Sequence, residues 1–278
     1  MELSKIKELY VRALGEARRL EKPRLTGGHI IVYGPGAEAP AHLLYLGVLH
    51  AGERAELVSA ATAAYHLVPY REPGDLVVFA YNSRDPRVVH AAEAASLTGF
   101  RVYLIAPKLH DAYEEKISSL SVERITVEGP APLLSMSVFS LLIMPNLKGF
   151  RAQRVREEIE SLDTAFEWVL KEYGEAAVKM PPRPDYIVAT PSTYPGASYH
   201  CRMIGCTSVI GLESALEYPA RTLKDSIAYI SSVEQRGFRD VLTKLKTIGT
   251  SIIEYNTDPL TTSIYVIITA VIAAKKLL

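Results

Sequence analysis

The sequence predicts an α/β protein built from two tandem, doubly wound parallel-sheet domains of the flavodoxin type. Three observations lead there. Short, nearly continuous apolar runs such as Leu76–Phe79, Val102–Ile105 and Tyr186–Ala189 suit strands covered on both faces. They alternate with stretches of helical period, the spacing of a parallel sheet wrapped by helices. The order of the first half then recurs in the second, although the halves do not align residue by residue.

Met1–Leu20 is charged and amphipathic, with Leu3, Ile6, Leu9, Tyr10 and Leu14 apolar, and reads as a helix. His29–Tyr33 is a strand, Gly34–Pro40 a loop and Ala41–His50 a helix; Glu56–Ser59 follows. Leu76–Pro107 is the most informative stretch. After the strand Leu76–Phe79, Tyr81–Asp85 breaks the apolar run. Pro86 suits the first turn of a helix carrying Val88, Val89, Ala92, Ala95 and Leu97. Gly99 stops that helix, and Val102–Ile105 is the next strand. Asp111–Ser118 reads as a helix, Arg124–Val127 as a strand and Pro132–Met144 as an apolar helix.

Phe150–Tyr173 reads as a charged connecting helix with Val155, Ile159, Leu162, Phe166 and Leu170 on one face. Residues 179–184 are the clearest linker, because Pro181, Pro182 and Pro184 cannot continue a helix or a central strand. In the second half, strand Tyr186–Ala189 leads through a Ser/Thr/Pro loop to helix Pro195–Ile204 and strand Thr207–Ile210. Strand Ser226–Ile230, helix Val233–Lys246, strand Ser251–Tyr255 and a last helix from Leu260 complete it. The expected domains are residues 1–149 and 150–278.

Composition narrows the function. The 278 residues carry 31 Lys plus Arg and 31 Asp plus Glu, without the basic excess or stripe of a nucleic-acid-binding protein. The longest apolar run, Ser263–Ala274, falls short of the ~20 residues a membrane span requires. The start has no signal-peptide pattern, so a soluble, cytoplasmic protein is expected. Cys201 and Cys206 lack a second pair, which argues against a zinc site, and they read as two buried thiols. Asn occurs three times and Gln twice, against many Arg, Glu and Tyr, a pattern of hyperthermophile proteins.

The Leu76–Pro107 unit resembles the core of a sugar isomerase (SIS) domain, in which the strand is followed by a Ser-x-Ser-Gly-x-Thr phosphate loop. Counted back from Gly99, that pattern falls on Ala80–Asp85, where Ser83 is the one hydroxyl residue. Residues 28–275 are similar in plan to two-domain sugar-phosphate isomerases, especially the short archaeal phosphoglucose/phosphomannose isomerases. The better-matched parts are Leu76–Pro107 and the tail Gly237–Leu242, Gly249 and Pro259–Thr261. The resemblance implies an aldose–ketose isomerase of glucose, mannose and fructose 6-phosphates that works through an enediol and requires no cofactor. Together with the apolar helices at Leu133–Met144 and Leu260–Ala274, it also implies a homodimer.

Candidate residues follow, each with two readings. Asn82, Ser83, Arg84 and Asp85 place an amide, a hydroxyl and a guanidinium at a helix N-terminus, where phosphate binds; alternatively Asp85 caps the helix and Arg84 is a solvated charge. Gly34 and Gly36 let backbone approach a ligand or make a tight turn. Glu38, standing where the family has serine, accepts sugar hydroxyls or caps the helix. Ser192 and Thr193 bind a ligand in the second domain or serve as caps. Glu213 is the candidate base for proton transfer between C1 and C2, Glu217 being the other glutamate nearby. The alternative is an exposed glutamate favoured by a helix dipole. The family's ring-opening histidine has no match in Arg221–Ser226. His200, as catalyst or structural histidine, and Lys224, as an acid, are the replacements considered. Lys275 and Lys276 stand near the family's C-terminal lysine or end a helix. A protein that kept the fold and the sugar-phosphate site but lost catalysis is the alternative function, and a bare interaction module a third.

Overall fold

The computed structural model describes residues 2–26 and 29–274. Lys275 and Lys276 lie outside the described residues. The chain divides into two compact units, Arg12–Ala152 and Met1–Val11 with Gln153–Leu278. Helix α1 (Leu3–Arg19) thus begins in one unit and ends in the other.

In the unit Arg12–Ala152, β1 (His29–Tyr33), α2 (Glu38–His50), β2 (Ala55–Ser59), α3 (Ala60–Thr62), β3 (Asp75–Phe79), α4 (Pro86–Leu97), β4 (Arg101–Ala106), α5 (Asp111–Ser118), β5 (Val122–Thr126) and α6 (Pro132–Ile143) follow α1. The five strands form one parallel sheet in the order β2-β1-β3-β4-β5. Leu76–Phe79 is wholly buried, as its continuous apolar composition requires, and the buried Asp75 before it is held by Arg101. On one face, Ile30, Val32, Leu76, Val78, Val102 and Leu104 pack against α4 and the helical stretch 60–70. The sequence pattern gives no sign of that stretch. Ser59 caps its start, it widens to a π-turn at Ala63–Leu67 and closes as a 3₁₀ turn at Val68–Tyr70. Its exposed Tyr65, His66 and Tyr70 gave no helical stripe to read.

In the other unit come α7 (Ala152–Glu160), α8 (Leu162–Lys179), β6 (Tyr186–Ala189), α9 (Tyr194–Ile204), β7 (Ser208–Gly211), α10 (Ala220–Leu223), β8 (Ile227–Ser231), α11 (Arg239–Thr247), β9 (Ser251–Tyr255) and α12 (Pro259–Ala273). The four-stranded parallel sheet has the order β7-β6-β8-β9. Val188, Ile210, Ala228 and Ile230 face Val241, Leu242 and Leu245 of α11. Helix α12 packs on α8 and α9. Gly196 permits that approach: a Cβ there would stand 2.5 Å from Val266 Cβ and 2.6 Å from the Ser263 carbonyl oxygen.

Three expectations are corrected. The connecting helix is two, α7 and α8, separated at Ser161. The proline stretch 179–184 is a linker as expected, joining α8 to β6 within one unit. Val233–Lys246 is not one helix, because a 3₁₀ turn at Gln235–Phe238, containing Gly237, precedes α11. Cys201 and Cys206 are joined in a disulfide, their Cα atoms 4.8 Å apart across the left-handed cap residue Gly205.

Every residue of α12 is buried within the single chain, as are ten of the twelve in α6. The apolar surplus that suggested a second copy is already covered. Among the described residues, no helix is long and apolar enough to cross a membrane.

Candidate functional site

Open parallel sheets bind ligands beyond the carboxyl ends of their strands, where the strand order reverses. In the first sheet this is between β1 and β3. The loops leaving them meet there: the Gly34 N–H donates to the Phe79 carbonyl at 2.9 Å. A Cβ on Gly34 would lie 2.6 Å from Val88 Cγ2 and 3.5 Å from Asp85 Oδ2, so the approach of α4 demands glycine. Gly36 has φ 84°, the left-handed region where side chains are strained.

The loop Asn82–Asp85 meets two of its own N–H donors, those of Arg84 and Asp85. Asn82 Oδ1 accepts the Arg84 N–H at 3.0 Å, and Asp85 Oδ1 accepts the Arg87 N–H at 3.0 Å, capping α4. The Ser83 carbonyl accepts the His110 N–H at 3.0 Å, while the Arg84 side chain is exposed. A carboxylate therefore stands where the sequence reading places phosphate.

The Arg87 guanidinium grips both oxygens of Asp85 at 2.9 and 3.1 Å, and this raises the arginine pKa further. Arg87 also lines a cleft of about 110 Å³ with Tyr33, Pro35, Glu38 and Ser59. One turn beyond Glu38, His42 Nδ1 contacts the Glu38 carbonyl at 2.9 Å, and the His42 and Tyr33 ring centres are 6.0 Å apart. Burial lowers the His42 pKa. Sequence reasoning passed over both Arg87 and His42. Their signals were a cation in a helix's first turn, where the dipole disfavours it, and a histidine four residues after Glu38 on one helix face.

In the second sheet the order reverses between β6 and β8. The Ser192 N–H donates to the Glu234 carboxylate at 3.2 and 3.4 Å, and the Ser192 carbonyl accepts the Ser263 hydroxyl at 2.7 Å. The Thr193 hydroxyl donates to the Tyr229 carbonyl at 2.7 Å and is fully buried. Ser192 and Thr193 thus tie the loop to its own unit. The Ser231 hydroxyl, buried at the end of β8, has no hydrogen-bond partner among the described residues.

The three catalytic candidates lie in different surroundings. Glu213 is exposed in the turn after β7, its carboxylate folded towards Gly211, where an added Cβ would meet Oε1 at 2.7 Å. Lys224 is exposed at the end of α10, before Asp225 at φ 62°. His200 is 2 % exposed, with Nδ1 2.7 Å from the Tyr229 hydroxyl, and desolvation lowers its pKa to about 4. Tyr229 is likewise buried and its pKa pushed up. The pair belongs to the core. No group of three or more His, Cys, Asp and Glu gathers as a metal site among the described residues.

No family model and no curated protein matches the sequence. Solved structures do match along nearly the whole chain. One is a Bacillus subtilis protein provisionally assigned as a phosphosugar isomerase, with TM-score 0.68, 14 % identity, and 99 % of this chain and 94 % of that one covered. A second is glucosamine-6-phosphate deaminase from Thermotoga maritima, with TM-score 0.66, 14 % identity and coverage of 98 % and 90 %. A third is tagatose-6-phosphate ketose/aldose isomerase from Escherichia coli, with TM-score 0.62, 12 % identity and coverage of 99 % and 87 %. At such identities the likeness establishes the fold. It is that of tandem, parallel α/β units of the SIS type.

Proposed function

We propose that the chain is an aldose–ketose isomerase of phosphorylated sugars, with hexose 6-phosphates as its substrate class. The observation that carries this is the cleft beyond β1, where a guanidinium, a carboxylate and two hydroxyl side chains meet in Arg87, Glu38, Tyr33 and Ser59. It supports the reading because the guanidinium, whose Nε and Nη2 hold Asp85, keeps further N–H donors that suit a phosphate oxygen. The carboxylate and hydroxyls in turn match a sugar. The cleft accommodates a phosphoryl group more readily than a whole hexose phosphate. The structural neighbours add support, since those described above are named for phosphorylated sugars across isomerase and deaminase chemistry.

The reaction removes a proton from C2 of the open-chain sugar, forms an enediol and returns a proton at C1; the hydroxyl proton moves in the opposite sense. One carboxylate can serve both carbons. Glu213 is the base that the family resemblance implies, and Glu38 is the carboxylate that the cleft offers.

Fructose 6-phosphate in D2O, followed by proton and phosphorus NMR, tests the proposal. The expected result is glucose or mannose 6-phosphate with deuterium at C2, absent in Glu213→Gln if that residue is the base and in Glu38→Gln if the other is. Unchanged substrate at all temperatures up to unfolding defeats the proposal.

The burial of His200 favours a second reading. With His200 withdrawn into the core from any ring-opening role, the chain would bind the sugar phosphate without turning it over. Phosphorus line broadening without new signals distinguishes that outcome.

A further inference from the structure

We propose a second anion site, for the phosphoryl group of a small metabolite, at the start of α11 beyond β8. A cleft of about 480 Å³ opens there, lined by the polar side chains of Ser232, Gln235, Arg236, Arg239, Thr243 and Lys246. Its volume suits a small molecule. No carboxylate is among the lining groups.

The arrangement of charge is the argument. Several exposed cations are paired with acids, Arg71 with Glu56, Arg154 with Glu158, Lys116 with Glu93 and Lys179 with Glu175, and those without a pair among the described residues, such as Arg84 and Arg221, are scattered along the chain. Arg236, Arg239 and Lys246 make no such pair among the described residues, yet they share one cleft. Arg239, Thr243 and Lys246 fall at i, i+4 and i+7 of the helix, a single face. The neighbouring Lys244 turns elsewhere, to the backbone carbonyls of Ala215, Leu216 and Tyr218. Glu254 is engaged by the Gln235 amide at 2.9 Å.

Position strengthens the case. Arg239 opens α11 and Arg236 lies three residues before it, where the helix dipole disfavours positive charge. No side chain caps that helix. The topology supplies a control within the molecule. The strand order places β8 in its sheet as β3 stands in the first, so α11 corresponds to α4. The start of α4 is closed by Asp85 and its arginine, whereas α11 has no side-chain cap and presents two arginines, its first-turn acid, Asp240, lying outside the cleft's lining. A dianion seated there would relieve the mutual repulsion of three cations and accept paired guanidinium hydrogen bonds. This site stands whether or not the chain isomerises a sugar.

Phosphorus NMR titrations of the full chain with inorganic phosphate, and separately with fructose 6-phosphate, test it. The wild type should bind saturably, and more weakly as sodium chloride rises. The component of binding that belongs to this site should weaken at least tenfold in R236Q/R239Q, which should melt like the wild type, and about threefold in K246Q, whereas R87Q should alter only the separate component that belongs to the cleft beyond β1. Fructose 6-phosphate binding tighter than inorganic phosphate, with the same response to the variants, would identify a phosphorylated sugar as the ligand. Equal affinities would identify phosphate itself. Either supports the site. Non-saturable binding, indifference to R236Q/R239Q and K246Q, or binding of a short RNA but not of phosphate would overturn it. Loss of isomerisation in R87Q with α11 binding intact would concern the isomerase reading alone.

Discussion

Asp85 holds Arg87 twice, through the backbone N–H at 3.0 Å and through the guanidinium at 2.9 and 3.1 Å. The buried carboxylate is both the cap of α4 and the counter-ion of a cation in that helix's first turn. The two roles separate by substitution. Asp85→Ala removes the cap and should cost about 1–2 kcal/mol in urea unfolding. Asp85→Asn keeps a capping oxygen and loses the charge that faces Arg87, so it should cost less than Asp85→Ala. Equal losses in the two variants would show that the ion pair, not the cap, holds the turn.

His200 makes stability depend on pH in a definite direction. Its folded pKa of about 4 lies below the usual histidine value near 6.5. Above pH 6.5 the ring is neutral in both states and contributes no pH dependence. As pH falls below 6.5 the unfolded chain takes up a proton that the folded chain refuses, so stability declines until pH reaches about 4. The full difference is about 3 kcal/mol. Urea unfolding of the wild type and of His200→Gln between pH 7 and 4 should show this extra decline in the wild type only. Parallel curves for the two proteins would mean that His200 protonates without penalty.

Much of the fold was legible because buried parallel strands are written as continuous apolar runs. His29–Tyr33, Tyr186–Ala189 and Ser251–Tyr255 fall as the sequence indicates, as does the helix Asp111–Ser118. The missed helical stretch 60–70 buries only small or scattered residues such as Ala60, Ala63, Ala64 and Val68, too few for a periodic signal. The candidate site was less legible. An acid two residues before an arginine does not reveal that the acid will cap a helix and hold that arginine. The cations of α11 are separated by three and seven residues, and become a cluster only once the helix is formed and its neighbours are known to lack a carboxylate partner. The C-x4-C spacing carried no statement about pairing, because the left-handed turn at Gly205 is what brings the two sulfurs together.

The disulfide gives a thiol count. Native protein should react with no thiol reagent equivalents before reduction and two after it. Closing so short a loop constrains the unfolded chain modestly, so reduction should cost about 2 kcal/mol of stability by the chain-entropy relation. Two reactive thiols in the native, unreduced protein would contradict the pairing.

Gly34 was a candidate for ligand contact, and its packing assigns it a cost independent of any ligand. A methyl group added there meets Val88 Cγ2 at 2.6 Å, inside a wholly buried contact. Gly34→Ala should destabilise by about 1–3 kcal/mol, the usual penalty of overpacking. Val88→Ala should restore part of the loss when combined with it, because the colliding methyl is then gone. Failure of the double variant to recover would place the strain in the backbone of the turn.

Glu16 offers the severest test of the unit Arg12–Ala152. Its carboxylate, 9 % exposed, accepts the Glu128 and Gly129 N–H groups at 2.6 and 2.5 Å, and also the Ser135 hydroxyl. One acidic side chain of α1 thereby satisfies the turn that leads into α6. Removing it leaves two N–H groups and a hydroxyl without their acceptor in a half-closed place, so Glu16→Ala should cost about 3 kcal/mol or more. Glu16→Gln retains one oxygen but presents an amide to donors, and should recover only part of that. Hydrogen exchange reads the effect locally. The Glu128 and Gly129 amides should lose protection in Glu16→Ala before the strands of the sheet do. Unaltered protection there would mean that water replaces the carboxylate without penalty, and the attachment of α1 would then rest on its apolar face alone.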